Sequence, residues 1–145
     1  MNLSIELGSW NRATGLGILL ATPGVVFAQD DAVIPDLIWV RRERHPSIVD
    51  AAGHFTAAPD IVIEILSPGS ANQRRDRELK LAVYNRWRVP EYWMIDREGR
   101  QVLVYRRLGP ELQPAETLNE TDTVTSPQLP GFVCPVSSFF AGLPV

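Results

Sequence analysis

The sequence predicts an α/β (α+β) fold in which a central mixed β-sheet is flanked by helices. The run from Asp60 to Leu66 is β-branched or aliphatic on both faces, which is typical of a strand that is covered on both sides. A helical pattern follows, up to about Arg88, and then two more strand-like segments. An order of strands, helix and strands predicts helices packed on a mixed sheet.

Two interpretations compete for the start of the chain. The segment Gly15–Asp31 resembles the apolar core and cleavage end of a signal peptide. Glycines and a proline interrupt its apolar run, however, and Glu6 and Arg12 give the preceding residues a mixed charge. We therefore favour the end of a helix followed by strands at residues 16–22 and 25–29, with a turn between them at Pro23-Gly24.

The remaining elements follow from local patterns. Residues 34–43 form a predicted strand that begins at a proline, and residues 44–58 form a predicted loop or hairpin. Residues 90–96 and 101–107 are predicted to pair as a hairpin. An irregular tail is expected to end in a short helix at Ser137–Ala141.

Length and composition limit the functional classes. A chain of 145 residues is most simply one domain, here residues 1–145. The formal net charge of −3 argues against nucleic-acid binding by bulk electrostatics, so such binding would need a local basic patch. Cys134 is the only cysteine, which excludes an intrachain disulfide and fits a reducing cytoplasm. No apolar run reaches the roughly 18 residues that a membrane helix needs.

Glu64 is the first candidate site residue, because it interrupts an apolar strand. Side chains alternate along a strand, so Glu64 shares a face with Val62 and Leu66 and lies in or beside the core. A buried carboxylate is costly unless a cation, a metal or hydrogen-bond donors meet it. Asp36 stands at the start of another predicted strand, and two carboxylates from neighbouring strands can bind a hard cation such as Mg²⁺ or Mn²⁺.

Lys80, on the helix that follows, is the third candidate. The chain has 13 arginines and this one lysine. A lysine can change its pKa and move a proton, whereas an arginine stays protonated. The competing interpretation is that a single lysine falls on an amphipathic helix by chance.

The predicted helix carries two stripes and a basic run. One stripe, spaced by three or four residues, contains Asp76, Lys80, Tyr84 and Trp87. A neighbouring apolar stripe contains Leu79, Ala82 and Val83. The basic run is either a solvated face or a phosphate-binding surface, and its candidate nucleic-acid contacts are Arg74, Arg75 and Arg77.

Four stretches carry a resemblance to a known family, and they are IPDLIWV, APDIVIEILSP, RDRELKLAVYNRWRVPEYWMID and LPGF. They resemble the Uma-two-like putative restriction endonuclease family, once classed as a domain of unknown function, within the PD-(D/E)XK nuclease superfamily. The resemblance extends from about Leu3 to Leu143. It implies a restriction-endonuclease-like fold, DNA cleavage that depends on Mg²⁺ or Mn²⁺, and often a homodimer.

The resemblance also implies roles for individual residues. Asp36 matches the motif aspartate and Glu64 the motif acid, so the expected metal ligands are these two side chains and the backbone carbonyl of Ile65. The usual lysine two residues after the acid is absent, because Leu66 stands there. Lys80 matches a helix position that supplies the missing charge.

The expected function is a divalent-metal-dependent DNA endonuclease. By the resemblance, this chain is expected to lack an N-terminal helix and a hairpin with a further acidic residue, a loss that would impair catalysis. The alternative is a catalytically inactive nuclease-fold domain that binds DNA or a protein partner, and a third possibility is a purely structural or interaction domain. Convergence of Asp36, Glu64 and Lys80 on an open cleft would favour the active endonuclease over the inactive domain. Arginines beside that cleft would favour a DNA-binding domain over a purely structural or interaction domain.

Overall fold

The computed structural model describes residues 2–21, 25–28, 31–33, 35–66 and 73–140. Ten strands and four helices are assigned within these ranges. In chain order they are α1 (Asn2–Thr14), β1 (Gly17–Ala21), β2 (Val25–Ala28), β3 (Asp31–Val33), β4 (Leu37–Arg41), α2 (His45–Ile48), β5 (Ile61–Ile65), α3 (Gln73–Arg86), β6 (Glu91–Asp96), β7 (Gln101–Leu108), β8 (Glu111–Leu118), β9 (Thr123–Val124), β10 (Cys134–Pro135) and α4 (Val136–Phe139).

A mixed sheet is the centre of the fold. Among the described residues, six strands form it in the order β1-β4-β5-β6-β7-β8. β5 and β6 run parallel and are connected through α3, while the other neighbouring strands run antiparallel. Short ladders join β2 to β3 and β9 to β10. The predicted fold class, a mixed sheet with flanking helices, is confirmed.

Both faces of the sheet are covered, as the apolar sequence of β5 predicts. One buried cluster contains Trp93 of β6 and Leu7 of α1, and we call this side the α1 face. The other cluster contains Tyr92 of β6 and Tyr84 of α3, and we call this side the α3 face. Because alternate residues of β5 point to opposite sides, Glu64 lies on the α3 face with Val62, which belongs to the second cluster.

The N-terminal segment forms the predicted elements. The expected helix end is a 13-residue helix, α1, and the two expected strands are β1 and β2. The predicted turn at Pro23-Gly24 lies outside the described residues. Within the described ranges, no helix combines the length and apolar character that crossing a membrane requires.

Most of the other predicted elements are also present, but the sequence did not predict the strands β3, β8, β9 and β10. β4, β5 and the β6–β7 hairpin lie where the sequence placed them, and the expected loop at residues 44–58 contains the short helix α2. The short C-terminal helix is α4, and the tail before it contains β9 and β10. β8 was not predicted, because this edge strand is mostly exposed, contains Pro114 and lacks an apolar alternation.

The apolar stripe predicted for α3 was wrong for two of its three residues. Leu79 is 57% exposed and Ala82 is exposed, so these two residues face solvent, and only Val83 of the predicted stripe packs against the α3-face cluster. Tyr84 is 2% exposed and Lys80 is half-buried, so the stripe that carries them faces the sheet instead. The physical reason is that the α3 face of the sheet presents a carboxylate, Glu64, which a polar stripe can satisfy and an apolar one cannot.

The C-terminus of α3 is closed by backbone hydrogen bonds. The Val89 amide donates to the Tyr84 carbonyl at 3.1 Å, and the Arg88 amide donates to the Asn85 carbonyl at 3.1 Å. Arg88 has a φ angle of 62°, the left-handed conformation that ends a helix in a Schellman motif. The helix therefore ends two residues before the predicted end, and the backbone of Tyr84 is held at its last turn.

Candidate active site

Asp36 and Glu64 meet at one end of β4 and β5. The antiparallel register pairs Leu37 with Ile63. Asp36, immediately before the first residue of β4, therefore lies opposite Glu64. The Asp36 amide donates to Glu64 Oε1 at 3.2 Å, and the Ile65 amide donates to Asp36 Oδ2 at 2.7 Å. The backbone at the start of β4 thus binds the Glu64 carboxylate, and the backbone at the end of β5 binds the Asp36 carboxylate. The two acids that the sequence singled out are therefore held next to each other.

Lys80 reaches this pair from α3. Its Nζ lies 2.5 Å from Glu64 Oε2 and 3.6 Å from Oδ2 of Asp76, which is one helical turn away on the same predicted stripe. The Lys80 side chain is 34% exposed, whereas that of Glu64 is 3% exposed. The ion pair therefore has a buried anion and a cation that water can still reach.

Burial raises the pKa of the Glu64 carboxyl above its ordinary value of 4.5, even though the hydrogen bond and charge of Lys80 lower it. Burial alone would lower the pKa of Lys80, but the hydrogen bond and charge of Glu64 outweigh that effect and raise it. The raised pKa of Glu64 and the raised pKa of Lys80 are consistent with each other, because Glu64 is the more deeply buried partner and has the larger desolvation cost. Glu64 is held ionised less firmly than in water, and Lys80 more firmly.

Tyr84 is a third group on the Glu64 carboxylate. It follows Lys80 by one turn of α3, is 2% exposed and hydrogen-bonds through its side chain to Glu64. Burial raises the pKa of Tyr84, and the charge and hydrogen bond of Glu64 raise it further, so the hydroxyl stays protonated and donates. The sequence pattern placed Tyr84 on the Lys80 stripe without predicting a role for it in the site, although the spacing of four residues was a usable signal.

Other buried carboxylates on the sheet have structural partners. Asp60 accepts the Arg41 amide at 2.8 Å and pairs with Arg44 at 2.7 Å. Glu91 accepts the indole N–H of Trp93 at 2.6 Å on the α1 face. Across the described ranges, no group of three or more His, Cys, Asp and Glu side chains comes together as a metal site. The candidate site therefore consists of two carboxylates with one lysine.

The three candidate arginines differ in their surroundings. Arg77 Nη2 lies 2.9 Å from Asp96 Oδ2 at the end of β6, so this side chain is engaged within the protein. That ion pair also places the first half of α3 near the C-terminal ends of the parallel strands β5 and β6, close to Glu64. Arg74 is 93% exposed with Glu78 at 3.4 Å, and Arg75 is exposed. Arg74 and Arg75 thus face solvent on the half of α3 that precedes Lys80, whereas Arg77 is engaged by Asp96.

The architecture is similar to that of a solved structure described as a putative nuclease belonging to DUF820, from Anabaena variabilis. The similarity has a TM-score of 0.75 and 21% sequence identity, and it covers 95% of this chain and 75% of that chain. At this identity the comparison defines the fold, which is one that a nuclease-like protein also has.

A family model described as Uma2, putative restriction endonuclease, matches residues 1–137. The chain therefore belongs to this family. No protein with a curated description matches the sequence.

Proposed function

We propose that this protein is a divalent-metal-dependent DNA endonuclease that hydrolyses phosphodiester bonds. The observation that carries the proposal is the convergence of Asp36, Glu64 and Lys80. The Glu64 carboxylate accepts the Asp36 amide, the Asp36 carboxylate accepts the amide of the next residue, Ile65, and Lys80 Nζ lies 2.5 Å from Glu64. A buried acid that is costly to the fold, placed beside a lysine, is a typical sign of a functional site. Membership of the restriction endonuclease family supports the same reaction class.

The donor set fits Mg²⁺ or Mn²⁺. A magnesium ion is commonly bound through one or two carboxylates, with water and substrate phosphate completing its ligands. Asp36 and Glu64 are such a pair, and Ile65, whose amide already binds Asp36, would add its carbonyl as the third protein ligand. Asp36 is only partly buried, so the pair is open to solvent on that side.

The residues of the chain then have distinct tasks. A bound Mg²⁺ or Mn²⁺ supplies Lewis-acid polarisation of a phosphoryl oxygen. Asp36 and Glu64 would hold the ion, and the amides of Asp36 and Ile65, which donate to Glu64 Oε1 and Asp36 Oδ2, orient the two carboxylates. The Lys80 ammonium stabilises the negative charge that develops on the phosphate as the bond breaks. Asp76, on the far side of Lys80, helps to keep that ammonium in place.

A plasmid-nicking assay tests the reaction. We expect the parent protein to convert supercoiled DNA to nicked or linear forms with Mg²⁺ or Mn²⁺ but not with EDTA, and we expect Glu64→Ala to be inactive under both conditions. Equal nicking by Glu64→Ala would identify a contaminating nuclease. Absence of nicking by the parent, together with DNA binding, would favour the alternative of an inactive nuclease-fold domain that binds DNA.

DNA affinity is expected to fall as salt rises, because protein cations that bind phosphates release counterions. Replacing Arg74 and Arg75 with alanine should weaken binding to all sequences alike and reduce the log–log salt slope by about one unit for each arginine that binds a phosphate. We omit Arg77 from this variant, because its removal would leave Asp96 without its cation. The measurement is fluorescence anisotropy of labelled duplexes at several ionic strengths.

Arg12 provides the matched control for this double variant. It is exposed near the end of α1, on the opposite face of the sheet, so Arg12→Ala should leave affinity and salt slope unchanged. Equal weakening from both faces would mean that binding follows overall charge rather than this surface. The homodimeric state and the cytoplasmic location stay predictions.

A further inference from the structure

The Glu64 carboxylate is bound by more groups than an ion pair requires. Its Oε1 accepts the Asp36 amide at 3.2 Å, and its Oε2 lies 2.5 Å from Lys80 Nζ. The Tyr84 hydroxyl is a third donor, and it approaches from the same helix stripe as Lys80. The Asp36 amide and the Lys80 ammonium already provide a donor for each Glu64 oxygen. Tyr84 is therefore not needed to offset the negative charge, and its hydrogen bond instead restricts the orientation of the carboxylate.

We infer that Tyr84 is a positioning residue that fixes the orientation of the Glu64 carboxylate for binding a divalent cation together with Asp36. This inference rests on the metal site of the proposed function and adds a residue to it. Tyr84 does not itself touch the ion or the substrate. It acts through Glu64, whose terminal carboxylate torsion is intrinsically broad and is narrowed further by a third hydrogen bond.

Tyr84 is well held for this task. Its ring packs against Tyr92 of β6 with a centroid distance of 4.9 Å, and Tyr92 in turn stacks on Tyr105 of β7 at 5.9 Å. Its carbonyl accepts the Val89 amide in the motif that ends α3. Ring and backbone are therefore both fixed, so the hydroxyl can hold Glu64 in one orientation.

The expected effect follows from how outer partners act on metal ligands. A carboxylate that binds a metal is itself oriented by hydrogen bonds, and losing one such partner typically weakens metal binding about 10- to 100-fold. Tyr84→Phe removes the hydroxyl and keeps the ring, so the packing on Tyr92 is preserved. A purely structural tyrosine would instead change stability without changing metal affinity.

Tyr92 provides a matched control within the same cluster. It is fully buried, packs against Tyr84, and its hydroxyl has no hydrogen-bond partner among the described residues. Tyr92→Phe therefore removes the same atom from the same environment without removing a bond to Glu64. We expect this variant to bind metal as the parent does.

The experiment is a calorimetric titration of Mn²⁺ into the parent, Tyr84→Phe and Tyr92→Phe proteins without DNA. We expect an affinity about 10- to 100-fold weaker for Tyr84→Phe and an unchanged affinity for Tyr92→Phe. Thermal midpoints measured in EDTA report the fold separately from the metal.

Three outcomes would overturn the inference, and they can be told apart. Equal affinities of Tyr84→Phe and the parent would overturn the role of Tyr84 and leave the proposed function standing. Equal weakening by Tyr92→Phe would assign the effect to the tyrosine cluster as a whole. No Mn²⁺ binding by the folded parent would overturn both the role of Tyr84 and the metal-dependent function.

Discussion

Replacing Glu64 with glutamine is expected to abolish binding of Mg²⁺ and any DNA cleavage, while the free energy of unfolding stays the same or rises. Glutamine keeps the shape of the side chain and removes the charge that a hard cation requires. The carboxylate is 2% exposed, so ionising it in the folded protein is costly. Lys80 is one-third exposed and can be solvated when its partner becomes neutral. Removing such a costly group commonly stabilises a protein by about 0.5–2 kcal/mol.

The pH dependence of this effect has a definite sign. Because burial raises the Glu64 pKa in the folded protein, folding favours the protonated carboxyl. The stability that Glu64 contributes is present below its ordinary pKa of 4.5 and is lost as pH rises through the raised value. The Lys80 pKa is raised from 10.5, so its own titration lies well above this window. The advantage of Glu64→Gln over the parent should therefore be absent in acid and largest at neutral pH.

Urea denaturation at a series of pH values, together with calorimetric titration of Mg²⁺, measures both parts of this prediction. Glu78→Gln is the matched control, because Glu78 is an exposed carboxylate on α3 that should affect neither quantity. If Glu64→Gln still binds Mg²⁺ as tightly as the parent, Glu64 is not a ligand. β5 would then carry a structural salt bridge only, and the proposed function would lose its main support.

Replacing Lys80 with methionine is expected to have the largest cost in stability. Removing one member of a buried ion pair typically costs about 3–5 kcal/mol, because the other charge is left without a partner. Here the cost should be nearer 1–3 kcal/mol, roughly that of an unsatisfied buried group, because the Asp36 amide and Tyr84 still donate to Glu64. Cleavage should fall by at least about a hundredfold through loss of charge stabilisation.

Further variants separate the two effects of Lys80. Adding Glu64→Gln to Lys80→Met should restore most of the lost stability, since neither charge of this ion pair then remains. Lys80→Arg keeps the positive charge and should largely preserve stability. It should still reduce cleavage wherever lysine's compact ammonium or its mobile proton is needed.

The control for the stability measurement is Arg75→Met, an exposed cation on the same helix that should change stability by no more than about 0.5 kcal/mol. A Lys80→Met protein as stable as the parent would show that Glu64 does not depend on this ion pair.

The elements that the sequence predicted correctly are those specified by short-range patterns. β5 and the β6–β7 hairpin follow from residues that are adjacent along the chain. Glu64 was also recognisable, because a carboxylate in an apolar strand indicates a partner wherever that strand packs. The edge strand β8 escaped prediction, because its backbone pairs with β7 while most of its side chains remain in water.

The amino-acid sequence alone determined the fold class, the family resemblance and the candidate set Asp36, Glu64 and Lys80. Only the tertiary structure decided how they are arranged, because the meeting of distant segments depends on strand register and helix rotation. The β4–β5 register sets Asp36 opposite Glu64, and the rotation of α3 turns Lys80 and Tyr84 inward and Leu79 outward. That rotation minimises the cost of a buried carboxylate rather than the exposure of one leucine, since an unpaired buried charge costs several kcal/mol and an exposed leucine about 1.5–3 kcal/mol.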